Sequence, residues 1–409
     1  MSAKWLVVAS DDKKSATYLI GEGAELCGKV VRKELGKAVD AAFSSNLFKI
    51  VILYEDFALL FVEPTNGRVT NKVFLKQGLN KTSLVTAFAM HTGGSVIAVG
   101  YTLDQSIPKA ERKKNKKQFE DYDEDDEFFH CIDLIDIRNP QVPIKSYEDL
   151  HSATVQSIQF CATSPNILMS GGADGLVNWV DTNMEDADDG LLATNSVISP
   201  VATVGFVGND ADGRSLAHCT TDDGRSEFYR VLHGSTAEEF DVEVTFKRNP
   251  TNLFLVDIIP SGSDQLPYVI VESTKDGKLK LTATSINGKL HQNIGSFNDH
   301  KELVRCVRSG SSQRWIITGD DAGYIVGRHL LEVSDDKIKE ITETMEHMEV
   351  AAASTTKTVK KKMVTKKKIK RKLTTKKSNA VKTGKIVKKK KAKGKVKKAL
   401  TKNFKSRMA

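Results

Sequence analysis

Ser170-Gly171-Gly172-Ala173-Asp174-Gly175-Leu176-Val177-Asn178-Trp179-Val180-Asp181 is the stretch from which the rest of the chain can be read. Two short apolar runs, Ile167 to Ser170 and Leu176 to Val180, flank Asp174-Gly175. An Asp-Gly pair between such runs makes a tight hairpin turn, because Gly accepts a left-handed backbone. The arrangement returns at Asp223-Gly224, Asp276-Gly277 and, degenerate, Ala322-Gly323, at spacings of 49, 53 and 46 residues. Each turn is again flanked: Leu216 to Thr220 and Glu227 to Leu232, Tyr268 to Ser273 and Lys278 to Thr284, Trp315 to Thr318 and Tyr324 to Leu330. A further apolar run precedes each hairpin: Val155 to Phe160, Val201 to Phe206, Leu253 to Ile259 and Leu303 to Val307.

The N-terminal third follows the same plan. Val39 to Phe43, Phe48 to Tyr54 and Ala58 to Val62 make one unit, and Leu84 to Ala89, Ser95 to Tyr101 and Phe128 to Ile137 another. Trp5 to Ala9, Thr17 to Gly21 and Leu26 to Val31 supply most of a first. Repeats of this length are too small to bury their own apolar faces and stack around a common core. The predicted architecture is all-β: a seven-bladed β-propeller over residues 1–335, followed by a short helix or linker over 336–356 and a disordered basic C-terminal tail over 357–409. With the first blade incomplete, closure calls for a strand from the other terminus, because an open sheet edge invites aggregation.

The segments His151 to Val155, Leu168 to Asn178, Glu185 to Val197, Val204 to Phe206 and His218 to Gly224 together resemble the WD-repeat β-propeller family, as do His300 to Cys306 and Thr318 to Gly323. The resemblance covers residues 145–331 and implies a WD-type propeller with an interaction role. Blades of that family link a His, a strand Ser or Thr, the turn Asp and a strand Trp by hydrogen bonds. On this resemblance His151, Ser170 and Asp174 take three of those positions as structural residues, and Asp223 and Asp276 are turn acids of later blades. The Trp position falls on Val180, with Trp179 one residue early, and is filled elsewhere by Tyr229, Thr282 and Arg328. The network is therefore expected to be mostly incomplete, leaving stability chiefly to packed β-branched strands.

Charge is sharply divided along the chain. Of 61 basic residues, 25 lie from Lys357 onward, where no acidic residue occurs; the preceding part holds the other 36 against all 52 acidic ones. The body thus carries −16 and the tail +25, so polyanions are attracted by the tail alone. Lys366, Lys367, Lys368, Lys370, Arg371 and Lys372, and again Lys388, Lys389, Lys390 and Lys391, form dense basic runs of the kind read by nuclear import receptors. They also suit phosphate binding without sequence preference, to RNA or DNA, since Phe404 is the one aromatic beside them and ammonium groups act as point charges. A merely solubilising tail is the bland alternative. Leu103 to Glu127 holds six basic residues and then mainly acidic ones, and reads as a mobile loop, either a solvated insertion or a docking segment. Ile338, Ile341, Met345 and Met348 recur at helical spacing.

A search for chemistry finds little. Gly23 to Lys29 approaches a phosphate-binding loop, but Val30 stands where a hydroxyl is needed and Cys27 to Val31 reads as strand. There is no nucleophile elbow or His-Glu-x-x-His, and the five cysteines are scattered without Cys-x-x-Cys pairs, as expected for buried thiols in a reducing compartment. No segment spans a membrane. The expectation is a monomeric, non-catalytic scaffold with no metal or cofactor, nuclear and possibly nucleolar, whose propeller binds protein partners and whose tail binds nucleic-acid phosphates and an import receptor. The rivals are a cytosolic scaffold on another polyanion, and a propeller enzyme, which would need ionisable side chains from several blades to converge on the axis. No such cluster is visible in the sequence.

Overall fold

The computed structural model describes residues 6–9, 16–20, 26–31, 35–76, 83–104, 128–184, 189–232, 240–309, 315–322 and 324–329. The chain divides into two units, Met1–Glu340 and Ile341–Ala409, and every described residue belongs to the first. The expected helix over 336–356, the basic tail over 357–409 and all but the first two residues of the charged loop at 103–127 lie outside the described residues.

The strands pair antiparallel with their sequence neighbours in seven sheets. The first holds β1 (Leu6–Ala9), β2 (Ala16–Ile20) and β3 (Leu26–Val31). The second holds β4 (Ala38–Ser44), β5 (Lys49–Tyr54), β6 (Ala58–Val62) and β7 (Val69–Phe74), and the third β8 (Leu84–Met90), β9 (Val96–Asp104), β10 (Phe128–Asp136) and β11 (Lys145–Tyr147). Next come β12 (Val155–Phe160), β13 (Ile167–Gly172), β14 (Leu176–Asp181) and β15 (Leu191–Ser196), then β16 (Val201–Asn209), β17 (Ser215–Thr221), β18 (Ser226–Leu232) and β19 (Asp241–Arg248). The sixth sheet holds β20 (Phe254–Pro260), β21 (Tyr268–Ser273), β22 (Leu279–Thr284) and β23 (His291–Phe297). The last holds β24 (Val304–Ser309), β25 (Trp315–Asp320) and β26 (Ile325–His329).

Middle strands such as Lys49–Tyr54 and Ala58–Val62 are apolar on both faces because both faces of their sheet are covered. All of β6 is buried. The core consequently lies between sheets: Val51, Leu53, Leu59 and Phe61 pack against Val85, Phe88, Val99 and Tyr101 of the next sheet, and Met169, Val177 and Trp179 against Val204, Ala217 and Tyr229. Trp179 is fully buried, edge-on to Phe206 and Tyr229, and its indole Nε1 donates to Asn195 Oδ1 at 2.8 Å. Facing sheets approach so closely that a Cβ at Gly171 would lie 2.4 Å from Val201 Cγ1. At the hairpin turn Gly175 has φ +76°, and a side chain there would also press on the Val197 carbonyl at 2.9 Å.

Six sheets, from β4–β7 to β24–β26, present their first strands to one axial cavity. The structure is therefore a six-bladed propeller where seven blades were expected. The N-terminal sheet β1–β3 forms as predicted, with β1 beside β4, and is not one of the six sheets whose described residues line the cavity. A hairpin signal records strand pairing and carries no information on whether a sheet reaches the axis, which is why counting hairpins overshot. Among the described residues no strand of β24–β26 pairs with one of β1–β3, so the expected terminal exchange is not seen there.

Candidate functional site

An antiparallel meander sends its second-to-third links and its links to the next sheet out of one end of the ring, and the remaining links out of the other. On the first of these faces His151, in the link from β11 to β12, is buried and bridges two partners. Its Nε2 is 2.9 Å from Ser170 Oγ on β13, and its Nδ1 is 3.1 Å from Asp174 Oδ1 in the β13–β14 turn. Burial alone would raise the Asp174 carboxyl. Hydrogen bonds from His151 and from the Leu176 and Ser152 amides outweigh it and hold the group below the usual carboxylate range. The three residues carried over by resemblance thus meet as a hydrogen-bonded unit, and Val180, at the fourth position, has no polar side chain to join it. Ser170 stands opposite Asn178, not Val180, which faces Leu168. Asn178 donates to the Leu150 carbonyl and accepts from Thr194 Oγ1 at 2.7 Å.

In every ring sheet the incoming link is bonded to the sheet, by the His bridge once more and elsewhere by a single bond. His300 Nε2 lies 2.7 Å from Thr318 Oγ1 and its Nδ1 3.2 Å from Asp320 Oδ2. Thr251 donates to Glu272 Oε1 at 2.6 Å, Ser199 to Asp223 Oδ2 at 2.8 Å, the Asp104 amide to Ser83 Oγ at 2.9 Å and the Lys37 amide to Glu55 Oε2 at 3.3 Å. In each case the link entering a sheet is bonded to that sheet's second strand or to the turn after it. Among the described residues the His–hydroxyl–Asp chain occurs in the His151 and His300 sheets and no Trp completes it, so the network is mostly incomplete, as expected, and the other sheets hold the link by single bonds of other kinds. Asp276 caps its own turn, accepting from Thr274 Oγ1 at 2.5 Å.

At the axis a second pattern repeats. The first strand of each ring sheet slips register near its start, between Ala38 and Asp40, Val85 and Ala87, Val155 and Ser157, Val201 and Thr203, Leu255 and Asp257, and Val304 and Cys306, and β16 slips again between Phe206 and Gly208. A β-bulge re-aims the side chains beside it, so Asp40, Ala87, Ser157, Thr203, Asp257 and Cys306 occupy one equivalent position around the ring. From that belt Ser157 Oγ accepts the Val204 amide at 3.1 Å, and Thr203 Oγ1 donates to Asp257 Oδ1 at 3.0 Å. Arg308 Nη1 donates to Asp257 Oδ2 at 3.3 Å. Satisfying one strand's polar groups from the next is what a ring of unpaired inner edges requires.

The cavity inside this belt has a volume of about 620 Å³, and its described lining includes four ionisable groups: Asp40, Asp257, His218 and Arg308. Burial raises both carboxyls, against the opposing pull of Arg308 on each. His218, on β17, is 3% exposed, and burial drops its imidazole to about 3, so it is neutral. It lies over Gly205, where a Cβ would sit 2.4 Å from its Cε1. Its Nε2 stands 3.5 Å from Asp257 Oδ1, and neither ring nitrogen has a hydrogen-bond partner. An imidazole held neutral so far below 7 is a weak base, whereas a paired carboxylate set inside low-dielectric walls binds positive charge well. Burial also raises the thiols, that of Cys219 to about 12 and that of Cys131 to about 11, which leaves them protonated at neutral pH.

Sequence reasoning missed this cluster. The available signal was an acid inside an apolar first strand, twice: Ala38-Val39-Asp40-Ala41-Ala42 and Leu255-Val256-Asp257-Ile258-Ile259. The basic residues predicted for import and phosphate binding, Lys366 to Lys372 and Lys388 to Lys391, lie outside the described residues. Among the described residues no three or more His, Cys, Asp or Glu are gathered as a metal would need, and no helix is long and apolar enough to cross a membrane. No family model matches the chain.

Proposed function

We propose that the protein is a non-catalytic scaffold whose propeller binds protein partners across the face bearing the His151 and His300 links, and whose Lys-rich tail directs nuclear entry and holds nucleic-acid phosphates without sequence preference. The observation that carries the first part is the ring itself, whose loop ends carry exposed apolar residues at both faces, those of this face standing over the buried ties. Leu84, Phe128, Ile198, Phe254 and Tyr324 all stand where second-to-third or sheet-to-sheet links emerge, and Ile198 is 84% exposed. The buried ties beneath hold those ends rigid, and a propeller commonly serves as such a platform. The charged segment at 103–127 starts from the same face, at the end of β9, and is proposed as a docking loop. The motifs around residues 145–331 also favour placing the chain with the WD repeat-containing protein 89 group.

The second part rests on composition, with 25 basic and no acidic residues from Lys357 onward. If the tail engages about eight phosphates, duplex affinity falls with a log–log salt slope near −7. The test is a cross-linked pull-down after nuclease treatment, with full-length protein and a form lacking 357–409. Proteins retained by both identify what the ring holds, and loss of RNA binding and of nuclear accumulation in the truncated form confirms the tail's role. Undiminished RNA affinity and normal nuclear entry after truncation refute it, and absence of any retained protein refutes the scaffold reading. The absence of catalysis is part of the proposal; turnover abolished by Asp257→Asn would favour the enzyme reading instead.

A further inference from the structure

We propose that the axial cavity is a site for one organic cation, an ammonium or guanidinium group, received between Asp40 and Asp257. Three observations lead there. The two acids occupy equivalent bulge positions on β4 and β20, so their side chains are brought to one belt by the fold and not by chance of local sequence. Among the cavity's described lining groups two acids share one guanidinium, Arg308, so the acids outnumber the cations in a confined volume. The His218 side chain, 4% exposed, lines the same cavity with both nitrogens lacking a hydrogen-bond partner, although a buried polar group of this kind ordinarily has one.

Arg308 reaches Asp257 from the rim, its side chain 69% exposed, and so acts as a built-in competitor for the incoming cation. Thr203 is already committed to Asp257, which leaves the imidazole of His218 as an acceptor for an N–H of the guest. The cation can belong to a Lys or Arg side chain presented by a bound protein, or to a free small amine; in the first case the inference rests on the scaffold reading and names the residue that the partner inserts.

The test uses the full chain with isotope-labelled Ile δ1 methyls, since Ile158, Ile258 and Ile259 line the cavity. It is titrated with N-acetylarginine amide, N-acetyllysine amide and, as uncharged control, N-acetylnorleucine amide. The cationic amides are expected to shift those methyl signals and the control not to. Asp257→Asn and Asp40→Asn should each weaken binding about tenfold or more, whereas Arg308→Gln, at an exposed side chain that leaves the fold intact, should tighten it about threefold or more by removing the competitor. A cation carried on a peptide binding tighter than the free amide assigns the guest to a partner's side chain, and equal affinity assigns it to a free amine. Equal binding of the norleucine amide, or weaker binding in Arg308→Gln, overturns the proposal. A partner captured equally by wild type and Asp257→Asn, with no response to the amides, overturns the cation site and leaves the scaffold standing; amide binding without any protein partner does the reverse.

Discussion

Acidification should destabilise this protein through His218 before it touches the carboxylates that hold the loops. In the folded ring burial brings the imidazole to about 3 from an ordinary 6.5. A group whose folded pKa is depressed takes up its proton first in the unfolded chain, so its contribution to stability is intact above 6.5 and is lost progressively as pH falls toward 3. Between pH 7 and pH 5 this linkage amounts to about 2 kcal/mol. Asp40 and Asp257, raised by burial, run the other way and gain stability on acidification, so the net slope mixes both signs. Replacing His218 by Gln separates them. Urea unfolding at pH 7 and pH 5 should show wild type losing about 2 kcal/mol more than His218→Gln over that interval. Equal losses in the two proteins would refute the claim that His218 is buried neutral at the axis.

Ser170→Ala removes the partner of His151 Nε2 and should cost about 1–2 kcal/mol by denaturant unfolding, since it leaves a buried polar atom unmatched. Asp276→Asn, at an exposed turn, should leave the urea midpoint unchanged. Gly171→Ala forces a Cβ to within 2.4 Å of Val201 across the sheet interface and should destabilise by about 1–3 kcal/mol, while Gly327→Ala, with nothing within 4 Å, should stay within about 0.5 kcal/mol. Trp179→Ala, at a fully buried site, should cost about 3–5 kcal/mol in the same assay.

Strands that reach the core were legible, and strands that do not were mostly invisible. Runs such as Lys49 to Tyr54 and Tyr268 to Ser273 are apolar throughout because both faces are covered, and Asp-Gly pairs punctuate them. The fourth strands, among them Val69–Phe74, Leu191–Ser196, Asp241–Arg248 and His291–Phe297, lie at the rim with half-exposed, polar-rich sequences, and nothing in their composition separates them from loop. The tie on the loop face was readable only where it used His151, Ser170 and Asp174. Thr251 with Glu272 does the same job with residues that no motif would pair. The axis was least legible, since a bulge is a property of two strands together, and Asp40 and Asp257 become equivalent only once both are paired.

The repeated bulge gives the ring a form of modularity. One extra residue at the same height in six first strands sets the register of the side chains around the lumen, while its neighbours Ala41, Ile158, Val204, Ile258 and Val307 both border the cavity and pack between sheets. Ala87 in one sheet and Asp257 in another show that the lumen position tolerates a change from methyl to carboxylate without any change of register. The interior lining can therefore be rewritten position by position while the masonry around it stays fixed, and a chain of this shape can acquire or discard a guest without learning to fold again.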